Sequence, residues 1–380
     1  MKIATLLLAS FLLIGFASAQ TAITEDIVIT EPGEYYLDAN VSSVRVEVDG
    51  NVTILGNGFY IKDLPSGYCL DIDTFGVNII VDGVGFENCD NNIQVTAYGT
   101  TLTVKNSNLG QALTGNVNLV ATTISATFIN NTFSDSDYGL FANNDPVNNI
   151  TLSANRFINI TLYGVSLGEA NNVLINNSNT SIDLFGTTGD VVIQDSTIDK
   201  YSFLDVKPQF KTSNLATLEF TENITASGTN LSGEVIVGGD LIYVNASKSG
   251  LNKPARLTFF NIPPEWTTRY ILAGTNQCPI GFCINETALN ASDITFTVQD
   301  FTFFYYLISN DIIIPEIEQP NTSYLTAYVP LEGAGAGLAA FIGYISIPLF
   351  IFILLLSLIA AIIYIFKETI PTSINHFRKN

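Results

Sequence analysis

Short apolar runs of Val, Ile, Leu and Thr recur along residues 52–198, and Gly, Asn, Asp and Ser separate them. Leu55, Ile80, Val104, Phe128, Leu152, Ile175 and Ile193 anchor these runs. Their spacing is about 24 residues, within the range that marks repeat architectures whose units bury their inner faces only by stacking. Two residues after most anchors stands Asn or Asp: Asn57, Asp82, Asn106, Asn130, Asn177 and Asp195. The fifth repeat has Ala154 there, with Asn155 beside it. An apolar residue often returns three positions later, at Tyr60, Leu109, Phe133, Phe157 and Ile198. The runs are strand-like, and no amphipathic helix of useful length interrupts them. A coil of about 24 residues, at about 3.3 Å per strand residue, closes a three-sided turn. The pattern therefore predicts an all-β parallel helix over 51–206. The repeated Asn is expected to form a side-chain ladder from coil to coil.

The flanks differ from the repeats. Residues 20–50 read as an N-terminal cap: Pro32 and Gly33 turn into Glu34-Tyr35-Tyr36-Leu37, and Val44-Arg45-Val46-Glu47-Val48 alternates. From 207 the period stops. Residues 207–310 alternate as separate strands with Gly-rich turns, which predicts a small antiparallel, sandwich-like domain. Residues 311–337, with Pro315, Pro320 and Pro330, read as a stalk.

The two chain ends give an address. Lys2, the apolar stretch from Leu6 to Phe16 and Ala17-Ser18-Ala19 have the form of a signal peptide over 1–19. Residues 338–366 carry no charge and are long enough for one transmembrane helix. Lys367, Arg378 and Lys379 follow in the tail, 367–380, which places that end in the cytoplasm and the bulk of the chain outside. The formal net charge is −20, and of the acidic residues only Glu368 lies beyond the span. Such a surface repels nucleic acid.

The cysteines suit an oxidising exterior. Cys278 and Cys283 enclose a tight loop, and Cys69 and Cys89 lie slightly less than one repeat apart, so both are disulfide candidates. Asn-x-Ser/Thr acceptors stand at Asn40, Asn51, Asn149, Asn159, Asn176, Asn179, Asn223, Asn230, Asn245, Asn285, Asn290 and Asn321. Asn130 is a further acceptor, but it shares the repeat's Asn position and is expected to be buried in a turn.

The cap and coils resemble the right-handed parallel β-helix family of NosD-type copper-processing accessory proteins and carbohydrate-binding and sugar-hydrolase (CASH), pectate-lyase-like domains. The resemblance rests on Pro32-Gly33-Glu34-Tyr35-Tyr36-Leu37, on Asn51-Val52-Thr53-Ile54-Leu55-Gly56-Asn57-Gly58 and on the Asn-containing strand ends. Leu251-Asn252-Lys253-Pro254-Ala255, the Cys278/Cys283 loop and Phe296-Thr297-Val298 before Phe301 are similar to a module that follows such helices in archaeal surface proteins. The resemblance implies an archaeal envelope protein.

Chemistry is sparse. The only histidine, His376, lies in the tail, so the exterior has no histidine base and no His-ligated metal. Polygalacturonase-like β-helices use a Gly-His-Gly element that is missing here, and copper ligation lacks methionine beyond Met1. No catalytic, cofactor or metal residue is assigned, although surface carboxylates are able to hold a structural calcium. Asp71 with Asp73, and Asp135 with Asp137, are the carboxylate pairs available for acid–base work. The arginines of the cap and coils, Arg45 and Arg156, lie coils apart. Tyr68, Tyr98, Tyr138, Tyr163 and Tyr201 are unevenly spaced candidates for sugar stacking, and Trp266 reads as a packing anchor. Two functions follow. One is a membrane-anchored structural or adhesive glycoprotein that binds glycans or other envelope proteins. The other is a polysaccharide lyase or glycoside hydrolase working through paired carboxylates.

Overall fold

Parallel pairing begins at the first described strand and continues coil by coil. The computed structural model describes residues 20–309 apart from 97, 121–123, 143–145, 267, 275, 280 and 302–304. The expected signal peptide, stalk, membrane span and tail, and Asn321, lie outside the described residues. Among the described residues no helix is long and apolar enough to cross a membrane.

Thr21–Ile23, Gly33–Leu37, Val52–Leu55, Asn78–Asp82, Thr101–Lys105, Ser125–Ile129, Asn149–Ser153, Asn172–Asn176, Val191–Gln194 and Pro208–Thr212 pair in that order, all parallel. They form the first face of the solenoid. Longer strands wrap the other two sides. Tyr60–Ile72 pairs with Gly85–Val95, and Thr132–Ala142 with Arg156–Gly168. Register shifts between Leu64 and Tyr68 and between Ser136 and Tyr138 mark the bend. In the coil between these pairs the two halves are separate strands, Asn108–Leu109 and Gly115–Leu119. The portion before the bend is the second face and the portion after it the third. The segment expected as a cap is itself coiled: Ile27–Ile29 and Val44–Val46 join the third face in parallel.

The interior is a stack of in-register apolar residues. Ile54, Val81, Val104, Phe128, Leu152, Ile175, Ile193 and Phe210 occupy one column of the first face and are all buried. Burying each such side chain contributes about 1.5–3 kcal/mol. Two of the expected anchors are displaced by one residue. Leu55 and Ile80 point outward and are half-buried, while Ile54 and Val81 point in. Val52-Thr53-Ile54-Leu55 and Ile79-Ile80-Val81 are nearly unbroken apolar runs, and a one-residue slip exchanges the faces of a strand. Tyr60 gives way to Ile61 in the same manner, in register with Phe86.

The repeated Asn marks a corner. Asn106, Asn130, Ala154, Asn177 and Asp195 all have φ between 46 and 56°, in the left-handed region. Short polar side chains tolerate that region because they bond locally. The expected ladder exists here only in part. Asn106 Nδ2 donates to Asp82 Oδ1 at 2.9 Å and Asn130 Nδ2 to Asn106 Oδ1 at 3.0 Å, and Ala154 ends the run. Asn130 is exposed, contrary to expectation, because the corner turns its side chain outward. A second, interior ladder stands one residue later. Asn131 Oδ1 accepts from Ser107 N, Asn155 Oδ1 accepts from Asn131 N, and the hydroxyls of Ser178 and Ser196 accept from Asn155 N and Ser178 N. These partners satisfy backbone groups at a turn closed to water. Another left-handed corner, Asp63, Asn88, Gln111, Asp135 and Asn159, ends the second face.

Pro208–Thr212 is the hinge of the topology. It pairs in parallel with Val191–Gln194 on one side and antiparallel with Ala216–Phe220 on the other. The same sheet continues antiparallel through Ala255–Phe259, Ile294–Val298 and Cys283–Asn285. A five-stranded antiparallel sheet contains Val235–Val237, Leu241–Val244, Tyr305–Ser309, Arg269–Ala273 and Asn276–Gln277. Phe220, Phe259, Phe296, Phe301 and Tyr305 form the aromatic core of this region. A single helical turn, Leu231–Glu234, is capped by Asn230, whose side chain accepts from Gly233 N. Buried Glu234 accepts from the Tyr201 hydroxyl and pairs with Lys248 Nζ at 2.8 Å, tying the last coil to the antiparallel region.

Candidate binding site on the third face

Outward residues of the third face alternate with the buried column Val44, Leu70, Ile93 and Val117. Arg45, Asp71, Gln94 and Asn118 form one outward column. Glu47, Asp73 and Thr96 follow two residues later on the same coils, and Phe75 and Tyr98 two residues after Asp73 and Thr96. The period-two geometry of strands reaches Glu47, Asp73 and Thr96, while Phe75 lies beyond it in a bend and Tyr98 in a turn.

Arg45 gathers the acids. Its Nε lies 2.8 Å from Glu47 Oε1 and 3.5 Å from Asp71 Oδ2, and its Nη2 lies 3.1 Å from Asp73 Oδ2. Three carboxylates thus share one guanidinium. Burial pushes the Asp71 carboxyl above its ordinary range. Arg45 opposes that rise, while Asp73 and Glu47 add to it. Thr96 Oγ1 lies 3.4 Å from Asp73 Oδ1, and Asn118 Nδ2 donates to Gln94 Oε1 at 2.8 Å.

Two residues beyond Asp73 and Thr96, at the corner after the third face, is an exposed aromatic pair. The Phe75 and Tyr98 rings are stacked, with centroids 6.2 Å apart and planes 7° from parallel. They are 65% and 54% exposed. Each is followed by a glycine of positive φ, Gly76 and Gly99, which turns the chain toward the first face. Gly76 N donates to Tyr98 O at 3.1 Å and links the two corners. In the same column as Arg45, Gln94, Phe141 and Ser166 are buried, Arg45 is exposed, and Asp71, Asn118, Asp183 and Ser202 are half-buried.

The other sequence candidates disperse. Asp135 sits at the left-handed corner and accepts from Asn159 Nδ2 at 2.9 Å, and the register shift falls at Asp137, so this pair is corner chemistry. Tyr68, Tyr138 and Tyr163 share one register column, with Asn91 and Gly115 between the first two. Lys200 Nζ lies 4.1 Å above the Tyr163 ring. Tyr201 points inward, is buried and is a core residue. Trp266 packs against the core, and its carbonyl accepts from Arg269 Nε at 2.9 Å.

Cys69 is bonded to Cys89 and Cys278 to Cys283, with Cα atoms 5.9 and 6.0 Å apart. Cys89 is in register with Leu64 at the end of the second face and Cys69 follows the bend, so the first bridge crosses a corner between adjacent coils. Asn40, Asn51, Asn149, Asn159, Asn179, Asn223, Asn230, Asn285 and Asn290 are exposed, and Asn176 and Asn245 are half-buried. Among the described residues no three Asp, Glu, His or Cys side chains converge as a metal site, so the calcium considered from sequence finds no such cluster.

Sequence reasoning missed Phe75. Its signal was an aromatic–Gly pair, Phe75-Gly76 and Tyr98-Gly99, repeated at nearly the coil period.

The chain matches no known family and no curated protein. Among solved structures it is similar to the Dettilon tailspike protein (gp208), at 10% identity and a TM-score of 0.20, with 76% of this chain and 86% of that chain covered.

Proposed function

We propose that this chain is a membrane-anchored cell-surface glycoprotein, a right-handed β-helix scaffold of the archaeal envelope. It is held by one C-terminal span with its coils outside and its tail in the cytoplasm, and it binds glycans through the third face. The observation that carries this reading is the exposed Phe75–Tyr98 stack, which follows Asp73 and Thr96 by two residues at the corner after the third face. Aromatic faces pack against the apolar face of a pyranose ring, and carboxylates, amides and hydroxyls bond its hydroxyls. Solvent-facing sequons and cross-coil cysteines suit an exported scaffold. Neighbouring envelope proteins are the further partners of the coil walls.

The rival enzyme would use Asp71, whose raised affinity for a proton is a property of a general acid. Arg45 instead ties Asp71, Asp73 and Glu47 into one ion-pair group, which holds the carboxylates available for a second catalytic role. Protease treatment of intact cells should remove the 20–309 region and spare a membrane-bound C-terminal fragment. Full-length protein should release no reducing sugar from polysaccharides it retains. Sugar release abolished by Asp71→Asn would overturn the binding role, and full protection from external protease would overturn the orientation.

A further inference from the structure

Eight Asn-x-Ser/Thr acceptors separate into two groups by the direction of their side-chain hydrogen bonds. In the first group the amide oxygen is the anchor. Asn40 Oδ1 accepts from Tyr60 N at 2.9 Å, Asn51 Oδ1 from Asn78 N at 3.1 Å, Asn230 Oδ1 from Gly233 N at 3.0 Å and Asn245 Oδ1 from Ser247 N at 3.2 Å. Asn149 Oδ1 accepts from Asn172 Nδ2 at 2.7 Å, and Asn172 is itself oriented because its Oδ1 accepts from Asp190 N. In the second group the amide nitrogen is the anchor. Asn159 Nδ2 donates to Asp135 Oδ1 at 2.9 Å and Asn223 Nδ2 to Asp205 Oδ1 at 3.0 Å. Asn130 Nδ2 donates to Asn106, whose own Nδ2 donates to Asp82. Chemistry fixes these directions, since a backbone N–H only donates and an ionised carboxylate only accepts. Exposure does not separate the groups: Asn130, Asn159 and Asn223 are exposed, and so are Asn40, Asn51, Asn149 and Asn230.

Resting on the exported-glycoprotein reading above, we propose that N-linked glycans are carried by Asn40, Asn51, Asn149, Asn230 and Asn245 and excluded from Asn130, Asn159 and Asn223. Attachment joins a sugar C1 to Nδ2 and breaks the C1–O bond to the co-substrate, a polyprenyl-phosphate-linked oligosaccharide. The carrier leaves with its phosphate, one Nδ2 proton goes to solvent, and Oδ1 is untouched. An oxygen-anchored acceptor therefore keeps its bond after modification, and that bond holds the stem of the glycan against the fold. A nitrogen-anchored acceptor is in conflict, because the sugar must stand where Nδ2 meets its neighbour. At Asn159 and Asn223 the displaced bond is charge-assisted, and the carboxylate left behind loses its donor. Chains glycosylated there before folding lose that contact and are depleted from the folded pool.

The test expresses the full chain in a secreting cell that makes N-glycans. The protein is treated with peptide N-glycosidase in heavy-oxygen water, which converts each occupied Asn to labelled Asp, and its peptides are read by mass spectrometry. Occupancy of the oxygen-anchored group should exceed that of Asn159 and Asn223 at least about tenfold, the scale of one charge-assisted hydrogen bond. Asn130 should behave like Asn159 and Asn223. Asp135→Gly and Asp205→Gly remove the acceptors at positions of φ 52° and 59°, where glycine brings no strain. The first should raise occupancy at Asn159 and the second at Asn223, and both should leave Asn51 unchanged. Where a glycine variant does not accumulate, the wild-type comparison decides alone. Equal occupancy of the two groups in wild type would overturn the sorting while leaving the glycoprotein reading standing. Glycine variants that leave Asn159 and Asn223 as empty as in wild type would do the same. Absence of glycan from every acceptor would overturn both.

Discussion

At the scale of single residues, the left-handed corners explain which polar positions the fold needs. Ala154 is the exception in its column. An L-residue with a Cβ there costs roughly 1–2 kcal/mol, which Asn recovers in part by local bonding. Ala154→Asn should therefore raise stability by about 1 kcal/mol in urea denaturation, and it would also extend the Asp82–Asn106–Asn130 ladder. Asn131→Ala should act in the opposite direction. It removes the acceptor for Ser107 N and the donor to Val104 O inside a dry turn, at a cost of about 2–3 kcal/mol. Two carboxylates should show opposite pH behaviour. Burial tends to raise Asp82, but bonds from Asn106 and Lys105 and the Lys105 charge outweigh it and hold Asp82 below its ordinary range. Its contribution is present above the unfolded-state value and is lost as pH falls through the folded one. Asp71 is raised, so the folded chain binds that proton more tightly and wild type loses stability as pH rises through the carboxylate range. Denaturation between pH 3 and 7 should show wild type falling relative to Asp71→Asn and gaining relative to Asp82→Asn.

At the scale of elements, the coil was legible because every turn must bury the same column, and that requirement writes a period into the chain. The phase was less legible. Where three apolar residues run together, as at Ile79-Ile80-Val81, sequence alone does not say which points inward. The register with Val104 decides it. The interior Ser107–Asn131–Asn155–Ser178–Ser196 ladder has the same period as the corner Asn column but alternates between two residue types, which hid it. The Phe75–Tyr98 stack spans only two coils, too few for a period to reveal. The boundary at 207 was visible as a loss of repeat, yet the sheet runs on through Pro208–Thr212, and pairing partners that change from parallel to antiparallel leave no local mark. The two disulfides make a further prediction. In a chain-entropy account the bridge separated by 20 residues stabilises by roughly 3 kcal/mol and the one separated by five by roughly 2. Cys69→Ser with Cys89→Ser should therefore lower Tm more than Cys278→Ser with Cys283→Ser, as read by circular dichroism.

At the scale of the whole molecule, the coils provide an acidic wall, with the exposed Phe75–Tyr98 stack at the corner where the third face turns toward the first. Stacking of the coils alone accounts for the repeats. The most direct measurement is retention of the full-length chain on a polysaccharide array, compared between wild type and the Phe75→Ala/Tyr98→Ala double variant. Both rings are solvent-facing, so the variant should keep its circular dichroism spectrum and melting temperature. The account predicts that wild type is retained on a subset of glycans and that the variant loses at least about tenfold in apparent affinity for them, the scale of one stacked aromatic contact. Undiminished retention of the double variant, or no retention of wild type on any glycan, would contradict it.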